Sequence, residues 1–540
     1  MTMSLDRREL LVGLLGLPLA ALGGCQQRAP QLPPAGEILG AAHELGHRLR
    51  APLKVQLADE HYQPVAVAIV GGGVAGLAAA RRLQQAGIED FVILELEDVA
   101  GGTSRAGQSG PFRHPWGAHY LPAPMQENAA LVQLLDEMGV VERYSDTGEP
   151  QFAEAALCRD PEERLFVQGA WHEGLFPGAV ASAADQQQFQ AFQQEVERWV
   201  AFRDAQGRRA FTLPVAQCSD DVAVTALDQI SFAQWLDERD ITSPALRWWL
   251  EYATRDDYGL TLAQTSAWAG LFYFAARVRE VATEPQPLLT WPEGNGRLVA
   301  HLQKHVANKL RVGHAVAKIS ATAEEAKLLA IDRSGKPTGY RAQQVIFAAP
   351  HFLAPYTIAD FPAERHADTR QFMYGAWLVA NLTLRARPGN VGFEPAWDNV
   401  LYSSPSLGYV SATHQQLRDH GPTVWTYYYP LTDDNPAASR ERLLELSWAQ
   451  WADFILTDLE QAHPDLRGLV ERLDIMHWGH AMIQPRVGFM FSGARQREAA
   501  PWHTVHFAHS DLSGVALFEE AFDRGTRAAE AVLATIAKSS

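Results

Sequence analysis

The stretch Val65-Ala-Val-Ala-Ile-Val70, Gly71-Gly72-Gly73-Val74-Ala75-Gly76, Leu77-Ala-Ala-Ala-Arg-Arg-Leu83 decides the reading of this chain. An apolar, β-favouring run enters a glycine turn, and an alanine- and leucine-rich segment opens a helix behind it. Gly71 permits the tight turn, and Gly73, with Ala75 in the same loop, lets the backbone approach a pyrophosphate. Gly76 permits close helix–strand packing, so that phosphates meet the positive end of the helix dipole. A glycine pattern alone is also what a surface turn looks like. Here a second apolar run, Phe91-Val-Ile-Leu94, ends in Glu95, nineteen residues beyond Gly76, where a carboxylate can accept both ribose hydroxyls of an adenosine. Strand, turn, helix, strand and acid in register predict a dinucleotide-binding unit in an α/β fold.

The continuation narrows the cofactor. Glu95 is followed by Gly101-Gly102-Thr103 and then by Trp116-Gly117-Ala118-His119-Tyr120. From here the chain resembles the flavin amine oxidase superfamily, which includes amine oxidases, protoporphyrinogen oxidases and phytoene-type desaturases. The resemblance implies FAD, with backbone amides at Gly101, Gly102 and Thr103 on its phosphates and Gly117-Ala118 beside the flavin ring. Further downstream, Trp291-Pro-Glu-Gly-Asn-Gly296 resembles the family's central glycine segment. Val312-Gly-His-Ala-Val316-Ala-Lys-Ile319 resembles the strand that touches adenine, and Val345-Ile-Phe-Ala-Ala-Pro350 the strand returning to the cofactor. Val505 to Asp511 and Phe518 to Ala529 are similar to the closing strand and helix, which implies cofactor contacts at Asp511 and Phe518. The implied architecture is a Rossmann-type, glutathione-reductase-like FAD-binding domain, residues 61–125, 288–355 and 470–540. It is interleaved with an α+β substrate domain, residues 126–287 and 356–469, made of a mixed sheet and a helical cap.

Length and charge bound the function. A chain of 540 residues with 47% hydrophobic content buries a large core and exceeds one ordinary domain. A net charge of −17 and the lack of any Lys/Arg run argue against nucleic acid, which needs basic groups to release counterions. An acidic surface favours solubility first and cationic small molecules second.

The amino terminus reads as an export signal over residues 1–25. Arg7-Arg8 precede an apolar run, Leu10 to Leu22, too short for a permanent span, which ends in Leu22-Gly23-Gly24-Cys25. The paired arginines resemble a twin-arginine signal, although Asp6 stands where Ser or Thr is usual. Leu-Gly-Gly-Cys resembles a lipoprotein box that would lipidate Cys25. The expectation is an exported, lipid-anchored protein at an extracytoplasmic or periplasmic membrane face, with residues 26–60 as a Pro-rich tether and a short helix. Beyond Cys25 only Cys158 and Cys218 remain, enough for one disulfide or two free thiols. With no cysteine in the closing segment, FAD is expected to bind without a covalent bond. His43-Glu44-Leu45-Gly46-His47 matches H-E-x-x-H but lacks an evident third ligand, so a short amphipathic helix on the FAD domain is the expectation and no metal is assigned.

Residues 126–146 and 186–203 have helical spacing, and residues 228–280 are dense in aromatics that suit a helical cap with a mainly core role. Trp377–Leu384 and Val424–Pro430 read as strands of a sheet flooring the cavity. By resemblance, the flavin accepts a hydride from a carbon bearing an amine or adjoining an extended π system. The lysine usual in amine oxidases falls on Val379 or Ala380, and one of their paired aromatics falls on Leu517. His477-Trp478-Gly-His480-Ala481 resembles the Trp-x-x-Ala segment of protoporphyrinogen oxidase-like members. His119, His480 and Trp478 are thereby the catalytic candidates, each histidine being able to accept a proton if its pKa stays near the ordinary ~6.5. The expected substrate is an amine or polyamine. The alternatives are an alkene- or tetrapyrrole-type dehydrogenation and a non-catalytic FAD-binding assembly role, with oxygen or a membrane quinone as electron acceptor.

Overall fold

The computed structural model describes residues 34–40, 42–50, 57–281, 283 and 285–539. The proposed signal, with Arg7, Arg8 and Cys25, and the tether up to residue 33 lie outside the described residues.

Two sheets organise the molecule. In the first, the strand Tyr62–Val70 is flanked in parallel by Phe91–Leu94 and by Pro337–Phe347, and Leu310–Arg311 closes one edge. The opposite edge carries the antiparallel strands Ala326–Ile331 and Ala315–Ala321, while Val505–Phe507 pairs in parallel with the end of Pro337–Phe347. Val67, Ala68, Ile69 and Ile93 are fully buried, as expected of a parallel strand covered on both faces. The helix Val74–Gln85 covers one face and buries Leu77, Ala79 and Leu83 against the carboxy-terminal helix Phe518–Ser539. This is the Rossmann-type FAD domain.

The second sheet has eight strands, in the order Ile38–Gly40, Val470–Ile483, Tyr374–Leu384, Thr423–Leu431, Tyr409–Ser411, Asp398–Leu401, Glu163–Val167 and Ala170–Glu173. The long pairs among Tyr374–Leu384, Thr423–Leu431 and Val470–Ile483 are antiparallel, whereas Asp398–Leu401 runs parallel to Glu163–Val167. Helices Ala183–Ala201, Phe232–Asp237, Pro244–Tyr258 and Ala267–Ala275 form the aromatic cap. There Phe192, Phe232, Trp235, Trp268 and Phe272 are buried core, as their density predicts, and Trp248, Trp249, Tyr273 and Phe274 are half-buried.

The boundary expected at residue 470 is corrected. Val470–Ile483 hydrogen-bonds along Tyr374–Leu384 inside the substrate sheet, so the FAD domain resumes only after it. The stretch expected as a tether also contributes Ile38–Gly40, which adds a parallel edge strand to Ile475–His477. Next in the chain, the helix His43–Arg48 buries Leu45, with Leu49 just beyond it, against Ala315, Ala317 and Ile331 of the FAD domain. Cys158 and Cys218 are buried free thiols. Among the described residues no group of His, Cys, Asp or Glu is arranged to hold a metal, and no helix is long and apolar enough to cross a membrane.

Candidate active site

A cavity of about 730 Å³ runs between the two sheets. Gly71, Gly73, Ala75, Glu95, Gly101, Gly102, Thr103, Ala118, Val316, Asp511 and Phe518 all line it, as do Trp478 and His480. At one end, Gly71 sits at φ 102°, a conformation that favours glycine, and brings the chain round to Gly73, the N-cap of the helix Val74–Gln85. No side chain caps that helix, so its first-turn amides remain for a ligand, and a Cβ on Gly73 would meet no protein atom within 4 Å. The open space and the uncapped amides would fit a diphosphate. Glu95 is 9% exposed; its carboxylate accepts the Gly72 amide at 2.6 Å and the Glu97 amide at 2.7 Å. Burial raises its pKa, and those two amides oppose the rise.

Two glycines assigned to the cofactor act one layer behind it. A Cβ on Gly76 would stand 1.9 Å from the Gly71 carbonyl oxygen, and one on Gly117 2.2 Å from that of Thr103. Neither lines the cavity; each lets a backbone that does line it pass close by.

Asp511 is buried, and its carboxylate accepts the His351 amide and the Tyr374 hydroxyl, both at 2.8 Å. Burial opposes ionisation, but His509, 2.9 Å away, together with these bonds holds its pKa below the usual range. Trp478 is fixed by its indole N–H, which donates to the Trp116 carbonyl at 2.7 Å, and by the Arg105 guanidinium 4.9 Å over its ring. Val379, at the place of the family's lysine, is 1% exposed and packs in the same cluster as Trp478. Leu517 lines the cavity.

The two histidines part company. His480 lines the cavity and stacks on Phe352 at 4.3 Å. Burial, aided by Arg440 and Arg50, pushes its pKa down to about 3. His119 does not reach the cavity; its neighbour Ala118 does. The His119 ring stacks on Tyr428 at 4.6 Å and packs against Tyr120 and Trp397, and burial pushes its pKa down to about 4. Both rings are therefore neutral at working pH, and both are weaker bases than their sequence position predicts.

Behind His119 lies a group that motif reading missed. Tyr120 donates to Asp256 at 3.3 Å and to Asp257 at 3.2 Å, and Asp257 pairs with Arg277 at 2.7 Å. Glu163 and Asp398 are Cα partners on parallel strands, and Tyr252 donates to Asp398 at 2.8 Å. Burial and mutual repulsion raise the pKa of Asp256 and Asp398, and burial, with Glu162 alongside, pushes Glu163 up to about 7. Asp256 and Asp257 thus stand beside the Arg277 guanidinium, and Glu163 and Asp398 beside each other, among aromatic rings. The adjacent pair Asp256-Asp257 in the aromatic-dense stretch is the one sequence hint, and nothing local ties Glu163 or Asp398 to it.

A family model for flavin containing amine oxidoreductases matches residues 74–533. The chain belongs to that family. An oxidoreductase, PigB, from a Serratia species is 23% identical over 293 residues, which span 51% of this chain and 42% of that protein. Among solved structures, putrescine oxidase bound to putrescine superposes with a TM-score of 0.65 at 18% identity, covering 88% of this chain and all of that one. Cyclohexylamine oxidase from Brevibacterium oxydans gives 0.61 at 16% identity, covering 87% and 99%. A fatty acid isomerase from P. acnes gives 0.59 at 14%, covering 86% and 97%. The protein is an FAD-dependent oxidoreductase with the fold of these enzymes.

Proposed function

We propose that the chain oxidises an amine carrying a second cationic group, a diamine or polyamine. The observation that carries this reading is the cluster of Glu163, Asp256, Asp257 and Asp398 carboxyls, joined to cavity-lining Ala118 through the neighbouring Tyr120, with Arg277 as its one salt-bridged cation among the described residues. A ligand cation entering this acidic, low-dielectric wall lowers the raised carboxyl pKa values and is bound by the ionised forms. The aromatic rings of Tyr120, Trp397 and Tyr428 offer π faces along the way. Bound FAD supplies the hydride acceptor. The protein orients the carbon that gives up hydride, excludes water and holds the distal ammonium against the carboxyls; His480 and His119, with pKa values pushed down to about 3 and about 4, are poor proton acceptors.

The test is anaerobic mixing of purified holo-protein with mono-, di- and polyamines while the flavin absorbance is followed. Bleaching that is faster with diamines than with monoamines of equal length is expected. No bleaching by any amine would overturn the reading. A second reading, oxidation of an alkene- or tetrapyrrole-type substrate with a carboxylate, is favoured by Val379 and Leu517 and by Arg50 and Arg440 on the cavity wall. Export and lipidation at Cys25, supported by Arg7-Arg8 and Leu22-Gly-Gly-Cys25, complete the proposal, with oxygen or a membrane quinone as the electron acceptor. Cys25→Ser is expected to release the protein from membranes into the soluble fraction.

A further inference from the structure

A pocket of about 20 Å³ lies in the substrate domain and shares no lining residue with the flavin cavity. Arg164, 1% exposed, forms one wall. Its guanidinium donates to Asn399 and Asn390 side-chain oxygens at 2.5 Å each, to the Phe393 carbonyl at 3.2 Å and to the Tyr409 hydroxyl at 3.2 Å, and lies 3.9 Å over the Trp171 ring. Every one of these partners is neutral, and Arg164 makes no ion pair among the described residues. Four of its five N–H donors are used, which leaves one on Nη2.

The rest of the wall repeats the imbalance. The Arg387 Nε–H and the Ser411 hydroxyl are buried and find no hydrogen-bond partner. The nearby acids are engaged elsewhere: Asp419 pairs with Arg159 at 2.7 Å, and Asp465 accepts the Gly389 amide at 3.1 Å. His463, whose Nε2 meets the Tyr409 hydroxyl at 2.9 Å, is neutral and brings no negative charge. Arg164, Arg387 and Ser411, the residues that carry these spare donors, all line a void large enough for a single small occupant. A water would satisfy such donors but would leave the buried Arg164 charge with no anionic partner. A small anion needs only donors, and it offsets the buried charge that otherwise stands uncompensated.

We propose that Arg164, Arg387 and Ser411 hold a halide-sized monovalent anion, chloride in kind, as a structural ligand of the substrate sheet. The anion ties Glu163–Val167 to Tyr409–Ser411, and Glu163, next to Arg164, points to the opposite face of that strand into the carboxyl group described above. Occupancy thereby steadies the strand that carries a substrate-binding carboxyl, although the pocket stands whether or not the substrate is an amine.

The holo-protein is exchanged into sodium gluconate and titrated with chloride or bromide at constant ionic strength, with thermal unfolding as the readout. A saturable rise of at least ~1 °C is expected for halide and none for gluconate. Crystals soaked in bromide are expected to show one anomalous peak between Arg164, Arg387 and Ser411. Ser411→Val, which keeps the flavin spectrum, is expected to weaken the halide midpoint at least ~10-fold. Identical melting in halide and gluconate with no bromide peak, or an undiminished response in Ser411→Val, would overturn the proposal.

Discussion

Single residues divide into those that meet the cofactor and those that let others meet it. Gly73 and Gly76 make the division measurable. A Cβ at Gly73 projects into open space, so Gly73→Val is expected to leave apo-protein stability within ~0.5 kcal/mol while weakening FAD binding by ~100-fold or more, read by flavin titration. A Cβ at Gly76 collides with the Gly71 backbone, so Gly76→Ala is expected to cost ~1–3 kcal/mol in the apo-protein as well, read by urea denaturation. Glu163 makes a pH prediction. Its folded pKa, about 7, stands above the unfolded carboxylate value of ~4.3, so between those two values the native state holds a proton that the unfolded chain has lost. Stability therefore falls as pH rises across that window and levels above it. Glu163→Gln is expected to flatten this slope, measured as urea midpoints at pH 5 and 8, and to lower kcat/KM for diamines most above pH 7. Asp511 and Trp478 came only from the family resemblance, whereas the glycine turn and Glu95 were legible in the sequence because backbone approach and phosphate or ribose chemistry allow few residue types. The basicity of His119 and His480 was not, because it depends on the rings and guanidiniums that surround them.

Elements show where patterning suffices. The strands Tyr62–Val70 and Phe91–Leu94, the helix Val74–Gln85 and the paired strands Tyr374–Leu384 and Thr423–Leu431 fall where periodicity and turn residues put them. Val470–Ile483 carries the Trp478 segment on a strand that local pattern cannot assign to one sheet or the other, since either would bury it. In the short stretch before the first motif the unforeseen element is Ile38–Gly40, which extends the substrate sheet, whereas the helix His43–Arg48 packs on the FAD domain as its pattern suggests and borders the cavity through Gly46 and His47. Leu45→Ala is expected to cost that helix's docking ~2–4 kcal/mol and to speed FAD release several-fold, followed by the recovery of flavin fluorescence on dilution. An unchanged release rate would show that this helix does not help close the site.

At the level of the whole molecule, the two domains are threaded through each other, so the cavity exists only when both are folded. FAD bound across that cavity should stabilise the fold as a unit: holo-protein at ~100 times its Kd is expected to gain ~2.7 kcal/mol over apo-protein, seen as a single shifted melting transition. The charge of −17 adds a long-range term. For a polyamine substrate, kcat/KM is expected to fall several-fold as ionic strength rises from ~20 to ~500 mM, with kcat little changed. The sequence by itself determined the dinucleotide unit, its FAD-type continuation and the α/β class, because a phosphate cradle is built from consecutive backbone and leaves a local pattern. Only the tertiary structure decided what stands around the flavin. Glu163, Asp256 and Asp398 are far apart in the chain and ordinary one by one, and their shared charge and raised pKa values arise from strand pairing and burial, which no local pattern records.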